Sequence, residues 1–299
     1  MKAITCEKIL RGQFALFLKS ITDEKVRQLV KDNSIITGGA IVSLVLNEEV
    51  NDFDIYFTNK ETVLAVCNYY RSLLLKENET WMNNTKIVED PDGRIRFQIK
   101  SDGIKRPCYK GKKFYPAVIT DNAISLTNQV QLIIRFYGPA EEIHKNYDFV
   151  HVKSYWLSKD GKLRLNPDSM EAILAKELRY VGSLYPLASF FRLRKFLTRG
   201  WTISAGDIFK MAFQLNALDL KNPKIMYDQL IGVDIHYFNA MIDRIQADLA
   251  SGKITEVNQN YLSNLVDEIF HTSDDYDLET YLNKQDKEPT TDDLLPTEE

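Results

Sequence analysis

Apolar residues recur along the first third of the chain at two spacings, and their alternation predicts alternating helices and strands. Val26, Leu29 and Val30 share one face of a helix expected over Asp23–Lys31, and Ile35-Ile36-Thr37 is a short β-branched run. Gly38-Gly39 then interrupts the pattern. Ala40–Leu46 is an apolar segment suited to a short buried helix, and Phe53–Phe57, aromatic and β-branched, reads as a strand. Thr58 with Glu61 three residues on forms a capping box for a helix running to about Lys76. The expected order is strand, glycine pair, helix, strand, helix.

The next stretch changes style. Lys86–Glu89 and Arg94–Lys100 flank Pro91-Asp92-Gly93, a strong turn signal, and predict a hairpin. In its second strand Ile95, Phe97 and Ile99 face one way while Arg94, Arg96, Gln98 and Lys100 face the other. Lys105, Arg106, Lys110, Lys112 and Lys113 follow, a basic surface that is either simply solvated or turned toward phosphate. Two further strands are expected around Gln129–Tyr137 and Asp148–Trp156, the first interrupted by Arg135, an arginine either paired or facing phosphate. From Asn166-Pro167, a helix cap followed by proline at the first helical position, the pattern turns helical. The expected helices are Pro167–Val181, Pro186–Arg199, Ser204–Leu218 (capped by Ser204 and Asp207), Pro223–Ile231, His236–Leu249 and Glu256–Phe270. This predicts an α+β domain over residues 1–165, a helical domain over 166–272 and a tail over 273–299.

Composition changes the picture at one end of the chain. With 299 residues, 44% hydrophobic and 27% charged, the sequence has the composition of an ordinary globular protein. The net charge of −4 conceals an asymmetry: Ser273–Glu299 holds ten acidic residues against Lys284 and Lys287, leaving +4 on residues 1–272. That tail, with Pro289 and Pro296 and no apolar periodicity, is expected to be disordered. A mildly basic body permits a polyanionic partner without requiring one. Three scattered cysteines, Cys6, Cys67 and Cys108, argue against a disulfide framework or a cysteine-rich zinc site and favour a reducing compartment. No secretory leader is expected in MKAITCEKILRGQ, and no apolar run reaches the ~18 residues of a membrane span.

The candidate chemistry lies between Ile35 and Phe57. Asp52 and Asp54, two apart on a strand, leave the same face with Cα atoms about 6.5 Å apart. Two carboxylates on one face repel unless a cation sits between them, and Mg²⁺, held by carboxylates and phosphate oxygens, suits that set. Two such metals activate an attacking hydroxyl and stabilise a leaving oxygen. The Gly38-Gly39 turn lets backbone amides approach a triphosphate closely, and the following helix start adds positive dipole. On the helix expected at Pro186–Arg199, Arg192, Lys195 and Arg199 share one face, a binding surface for a triphosphate or an acceptor backbone, or else an ordinary exposed face. His144 and His151 lack any metal-histidine spacing and are expected to be structural.

Gly38-Gly39, twelve intervening residues and Asp52-Phe53-Asp54 resemble the signature of the polymerase-β-like nucleotidyltransferase superfamily, with the spacing of its poly(A) polymerase and CCA-adding tRNA nucleotidyltransferase branch. Asn122-Ala-Ile-Ser-Leu, Gln131–Gly138, Asn146–His151 with Tyr155-Trp156, and Arg179–Gly200 are similar to bacteriophage-encoded nucleotidyltransferase-like proteins. The resemblance implies a polymerase-β-like palm, a mixed sheet with helices, followed by an all-helical domain. It further implies metal-dependent transfer of a nucleoside monophosphate from an NTP to a hydroxyl, with release of pyrophosphate. In that family two carboxylates on one strand and a third on a neighbouring strand hold the metals. Asp52 and Asp54 match the first two, and Asp148, opening the expected strand at 148–156, is the candidate third. One departure stands out: where the tRNA-repair enzymes carry Arg-Asp, two residues after the glycine pair, this chain has Val42 and Ser43. Ser43 is then either a phosphate ligand or a packed helical serine.

The expectation is therefore an enzyme with catalytic and metal-binding Asp52, Asp54 and Asp148, nucleotide-binding Gly38, Gly39, Ser43, Arg192 and Lys195, and Mg²⁺ or Mn²⁺ as cofactor. Its partners would be an NTP and a nucleic-acid end, RNA rather than DNA, in the cytoplasm (the host's, if a phage encodes it). Two alternatives stay open: a protein or small-molecule acceptor, and a catalytically silent binding module.

Overall fold

A computed structural model describes residues 1–77, 85–99, 113–220, 225, 229, 244–245, 247–256 and 258–271. The chain divides into two compact units, Met1–Leu218 and Asp219–Glu299. The first opens with α1 (Ala3–Ser20), α2 (Glu24–Asp32), β1 (Ser34–Thr37), α3 (Gly39–Leu46), β2 (Phe53–Phe57) and α4 (Lys60–Glu77). The hairpin β3 (Thr85–Glu89) and β4 (Ile95–Ile99) follows, then β5 (Pro116–Ile119), β6 (Ala123–Leu126), β7 (Val130–Tyr137) and the short α5 (Ala140–His144). A 3-10 turn (Val150–Val152) leads to β8 (Tyr155–Leu157), β9 (Lys162–Arg164), α6 (Pro167–Ala175), β10 (Glu177–Leu178), α7 (Pro186–Thr198), β11 (Thr202–Ile203) and α8 (Ala205–Asn216). The second unit includes α9 (Gln259–His271).

Seven strands form one mixed sheet in the order β5-β6-β7-β2-β1-β8-β9. β2 runs antiparallel to β1 and parallel to β7. Strand alternation separates the two faces. Ile36, Ile55, Phe57, Leu132, Ile134 and Trp156 enter the main core, where they meet Cys6, Leu10, Phe14 and Phe17 of α1 and Val63, Val66 and Tyr70 of α4. Ile35 and Tyr56 look the other way and pack with Ala140, Ile143 and Tyr147. A separate cluster of Phe149, Ile173, Leu178, Phe196, Trp201 and Met211 takes in Val42 of α3, which ties α6–α8 to the helix that follows β1. These helices therefore belong to the same compact unit as the sheet.

The local readings from Asp23 to Phe57 hold within a residue. Asp23 caps α2 by accepting from Val26 N at 3.0 Å. Four expectations are corrected. α4 is capped by Asn59, which accepts from Thr62 N at 2.9 Å, because Thr58 turns its hydroxyl to Asn33 instead. Only Tyr155–Leu157 of the expected 148–156 strand is extended; Phe149 makes a single bridge to Tyr180, and the 3-10 turn follows. The helix from Pro167 stops at Ala175, since Lys176 adopts φ 49° and starts the small parallel pair of β10 with β11. The rear part of the unit is thus not purely helical. α1, β5, β6 and the short α5 carry no expectation from the sequence reading.

The expected helices Pro223–Ile231 and His236–Leu249 lie largely, and the acidic tail, Cys108 and Lys105, Arg106, Lys110 and Lys112 wholly, outside the described residues; Lys113 is described and exposed. No described helix is long and apolar enough to cross a membrane.

Candidate active site

β1 ends at Thr37 and the chain turns sharply through Gly38, whose φ of +94° is one that side-chain-bearing residues rarely adopt. The same position is also tight. A Cβ on Gly38 would stand 3.2 Å from Asp54 Oδ2 and 3.7 Å from the Tyr147 hydroxyl. α3 starts at Gly39, which is exposed, and no side chain caps its N-terminus from Gly38. The positive end of α3 and the carboxylate of Asp54 therefore meet at one glycine.

This makes the two glycines unequal. Gly38→Ala is expected to cost about 1–3 kcal/mol of stability, from the positive φ and the displaced carboxylate together. Gly39→Ala, with nothing within 4 Å of its Cβ, is expected to fold as stably as the parent. Thermal unfolding of the two variants side by side checks this.

Asp54 is half-buried on β2, in register with Gln131 of β7, and Asp52 is exposed one residue before the strand. Gln131 donates to Ser125 Oγ on β6 at 3.0 Å, so a polar row crosses the sheet beside Asp54. Tyr56, two residues after Asp54 and on its face, is pushed above the ordinary tyrosine range by burial first and by the charges of Asp54 and Asp52, against the opposing pull of Arg192. Burial, with Tyr56 and Asp54 adding to it, raises Tyr147 likewise. Both phenols stay protonated next to the carboxylate. The Tyr147 hydroxyl is buried close to Tyr56 and Thr37.

Below this layer Thr37 Oγ1 lies 2.9 Å from His144 Nε2 and donates to Ser154 O at 2.8 Å. Burial, with Lys153 adding to it, depresses His144 to about 4. His151 is wholly buried between Phe149, Phe196 and Trp201, neither ring nitrogen has a partner, and burial lowers it to about 3. Both histidines are neutral packing elements.

Asp148 sits before the 3-10 turn, buried to 6% exposure. Its Oδ2 accepts from Ser189 Oγ at 2.8 Å and from Arg192 Nε at 2.7 Å, both on α7. Arg192 thus bridges two fields: it is ion-paired to Asp148 and also acts on Tyr56 beside Asp54. Of the other residues on that face of α7, Arg199 pairs with Glu48 and Lys195 is exposed. Ser43 lies inside α3, buried to 7% exposure.

Among the described residues, no three of His, Cys, Asp or Glu come together as a metal-holding group. Asp52 and Asp54 fit a cation that takes its remaining ligands from phosphate oxygens, the usual way Mg²⁺ is held at nucleotide sites. Arg192→Met would strand a buried carboxylate with Ser189 as its remaining donor. The expected cost is about 2–3 kcal/mol, below the fully buried range because the guanidinium is more than a third exposed. Adding Asp148→Asn to it should recover most of that loss, as a double-mutant cycle by denaturant titration will read.

Sequence reading passed over Tyr56, Tyr147, Thr37 and Ser189. Tyr56 had a signal, its two-residue offset from Asp54 on the same strand face, and Thr37 adjoins Gly38; Tyr147 and Ser189 come from distant segments and had none.

The fold and this site define a class: an α+β protein with a carboxylate pair and a glycine-lined helix start at one end of a mixed sheet. The chain belongs to the Gabija anti-defense 2 family, whose model matches residues 8–176. A relative described as "Gabija anti-defense 2", from Bacillus phage SPbetaL7, is 23% identical over 276 residues. The match takes in 89% of this chain, which spans 59% of that relative's length. Among solved structures, the Thermotoga maritima CCA-adding enzyme complexed with tRNA aligns with 90% of this chain and 68% of its own, at 12% identity and a TM-score of 0.39. The Bacillus stearothermophilus CCA-adding enzyme in complex with CTP aligns with 70% and 46%, at 15% identity and a TM-score of 0.33.

Proposed function

We propose that this chain is a polymerase-β-type nucleotidyltransferase that moves a nucleoside monophosphate from an NTP to the hydroxyl end of an RNA, and that this transfer serves the anti-defence role for which its family is named. The observation that carries the reading is the meeting of Asp54 Oδ2 with the Gly38 turn, 3.2 Å from where a Cβ would stand. A carboxylate that close to an exposed helix start needs a cation between it and any anion the helix binds, and a metal-bound triphosphate supplies both.

Each residue then has a role. Gly38 and Gly39 admit the triphosphate to the backbone of α3, and Asp52 and Asp54 would hold a divalent metal, Mg²⁺ or Mn²⁺, which would supply positive charge for the phosphate oxygens and the pyrophosphate leaving group. Arg192 adds fixed positive charge from α7. Asp148, whose Oδ2 is already engaged by Ser189 and Arg192, acts as the positioning residue that aims Arg192. Lys195, exposed on the same helix, meets the outer phosphates or the acceptor. Ser43 stabilises α3 from within. Little covalent chemistry is required of the protein, because phosphoryl transfer is accelerated mainly by alignment and charge.

Incubating the full chain with each α-labelled NTP, Mg²⁺ or Mn²⁺, and short RNA, tRNA or DNA with a free 3′ hydroxyl tests the reading. Labelled RNA with stoichiometric pyrophosphate is expected. Label on protein alone, in a reaction supplemented with host lysate, would replace the RNA acceptor by a protein one. No label on any acceptor would refute transfer.

A further inference from the structure

The regular pairing of β2 with β7 runs from Phe53 with Val130 to Ile55 with Leu132, and Asp54 lies opposite Gln131 within it. Arg135 lies three residues beyond that run, in the stretch where the register of β7 shifts. Its Nη1 donates to Asn122 Oδ1 at 2.8 Å, and its guanidinium lies 5.6 Å over the Tyr185 ring and 6.0 Å over Phe136. Its Nε is buried without an acceptor. Among the described residues no carboxylate forms an ion pair with it. Asp92 and Asp121 act on it at longer range, and each is held by another arginine. Arg94 takes Asp92; Arg96 takes Asp90 at 2.5 Å and Asp121 at 3.6 Å.

A guanidinium stays charged at any pH a protein survives. Among the described residues the direct contacts of Arg135 are an amide and two rings, with Asp92 and Asp121 acting from further off, so an anion at close range would add to what holds it. Asn122 and Tyr185 already fix its plane, so little side-chain freedom remains to be lost when an anion arrives. Reach decides which anion. Four residues along a strand at ~3.3 Å each, and one strand spacing of ~4.8 Å, put Arg135 up to roughly 14 Å from Asp54. A triphosphate seated at the Gly38 turn does not extend that far. A chain of phosphates does.

We propose that Arg135, braced by Asn122 and Tyr185, binds a backbone phosphate of a single-stranded RNA a few linkages upstream of the end presented to Asp52 and Asp54. This rests on the transfer reading above and deepens it by giving the acceptor a second point of attachment.

The test is fluorescence anisotropy of a 5′-labelled single-stranded RNA, without NTP, across a salt series. Arg135→Gln is expected to weaken binding about 5- to 10-fold at low salt and to reduce the slope of log affinity against log salt by ~0.7, one phosphate contact on a single strand. Arg135→Lys should keep the slope, since the charge remains. Should Arg135→Gln fold poorly, wild-type protein with RNAs carrying one neutral methylphosphonate at each of the last several linkages should show the same loss at one upstream linkage. An unchanged slope in Arg135→Gln, or no sensitive linkage, overturns the proposal. The two readings fail separately: RNA held through Arg135 without any nucleotide transfer would remove the transfer reading alone. Transfer to RNA that ignores Arg135 would remove this site alone.

Discussion

Asp54→Asn is expected to reduce nucleotide transfer by about 10³-fold or more, equivalent to roughly 4 kcal/mol of transition-state stabilisation. The change preserves shape and removes the charge that faces the Gly38 turn, so the loss falls on metal and phosphate binding rather than on the fold. Asparagine keeps the size and the hydrogen-bonding oxygen of the side chain beside the Gly38 turn, so the fold should survive the change. Asp52→Asn should behave alike. Asp148→Asn should not: acting through Arg192, it is expected to raise KM for the NTP more than it lowers kcat. Steady-state transfer kinetics on the three variants, with thermal unfolding beside them, check this. An Asp54→Asn enzyme retaining a tenth of wild-type rate would exclude a metal role for that carboxylate.

The second large effect is acid lability. His144 and His151 titrate at about 4 and about 3 in the folded protein because burial disfavours their charged forms, against about 6.5 for an ordinary histidine. The folded values lie below the unfolded one, so between them the unfolded chain binds more protons. The stability these neutral histidines permit is complete above pH ~6.5 and is lost as the pH falls toward 4 and then 3. By pH 5 the loss is about 2 kcal/mol for each. Urea titrations between pH 8 and pH 5 should therefore show a drop of ~4 kcal/mol, a large part of a typical domain's stability. His151→Phe, which replaces a buried ring with two unpartnered nitrogens by a hydrocarbon of similar shape, should remove about half of that drop. It should leave the protein at least as stable at pH 8. A pH-independent midpoint, or a His151→Phe variant with the full acid slope, would contradict the burial argument.

Much of the local structure is legible in the sequence. The run from Asp23 to Phe57 carries its own cap, its own glycine break and its own apolar spacing, and each element there lies where those signals place it. Pro167 and Pro186 likewise open the helices their positions announce. The errors cluster where neighbours in space outvoted neighbours in sequence. Thr58 has the composition of a cap, but Asn33 claims its hydroxyl and Asn59 caps α4. The stretch before β8 has strand composition, yet Asp148 is drawn to α7 and the chain curls into a 3-10 turn. The N-terminal helix carries no clear signal because exposed Ile4, Ile9 and Leu16 blur the stripe of Cys6, Leu10, Phe14 and Phe17, and only the sheet they cover shows it to be a core face.

The sequence by itself determined that Asp52 and Asp54 stand one strand alternation apart, a short distance after a paired-glycine turn and the helix it opens. Those are properties of adjacent residues, set by backbone geometry and side-chain alternation alone. Only the tertiary structure decided that Asp54 Oδ2 fills the space Gly38 leaves, that Gln131 is its neighbour across the sheet, and that Asp148 engages an arginine 44 positions away. The reason is physical: a carboxylate's charge is settled by whichever group the fold brings within a few ångströms, and nothing in its flanking residues encodes that partner.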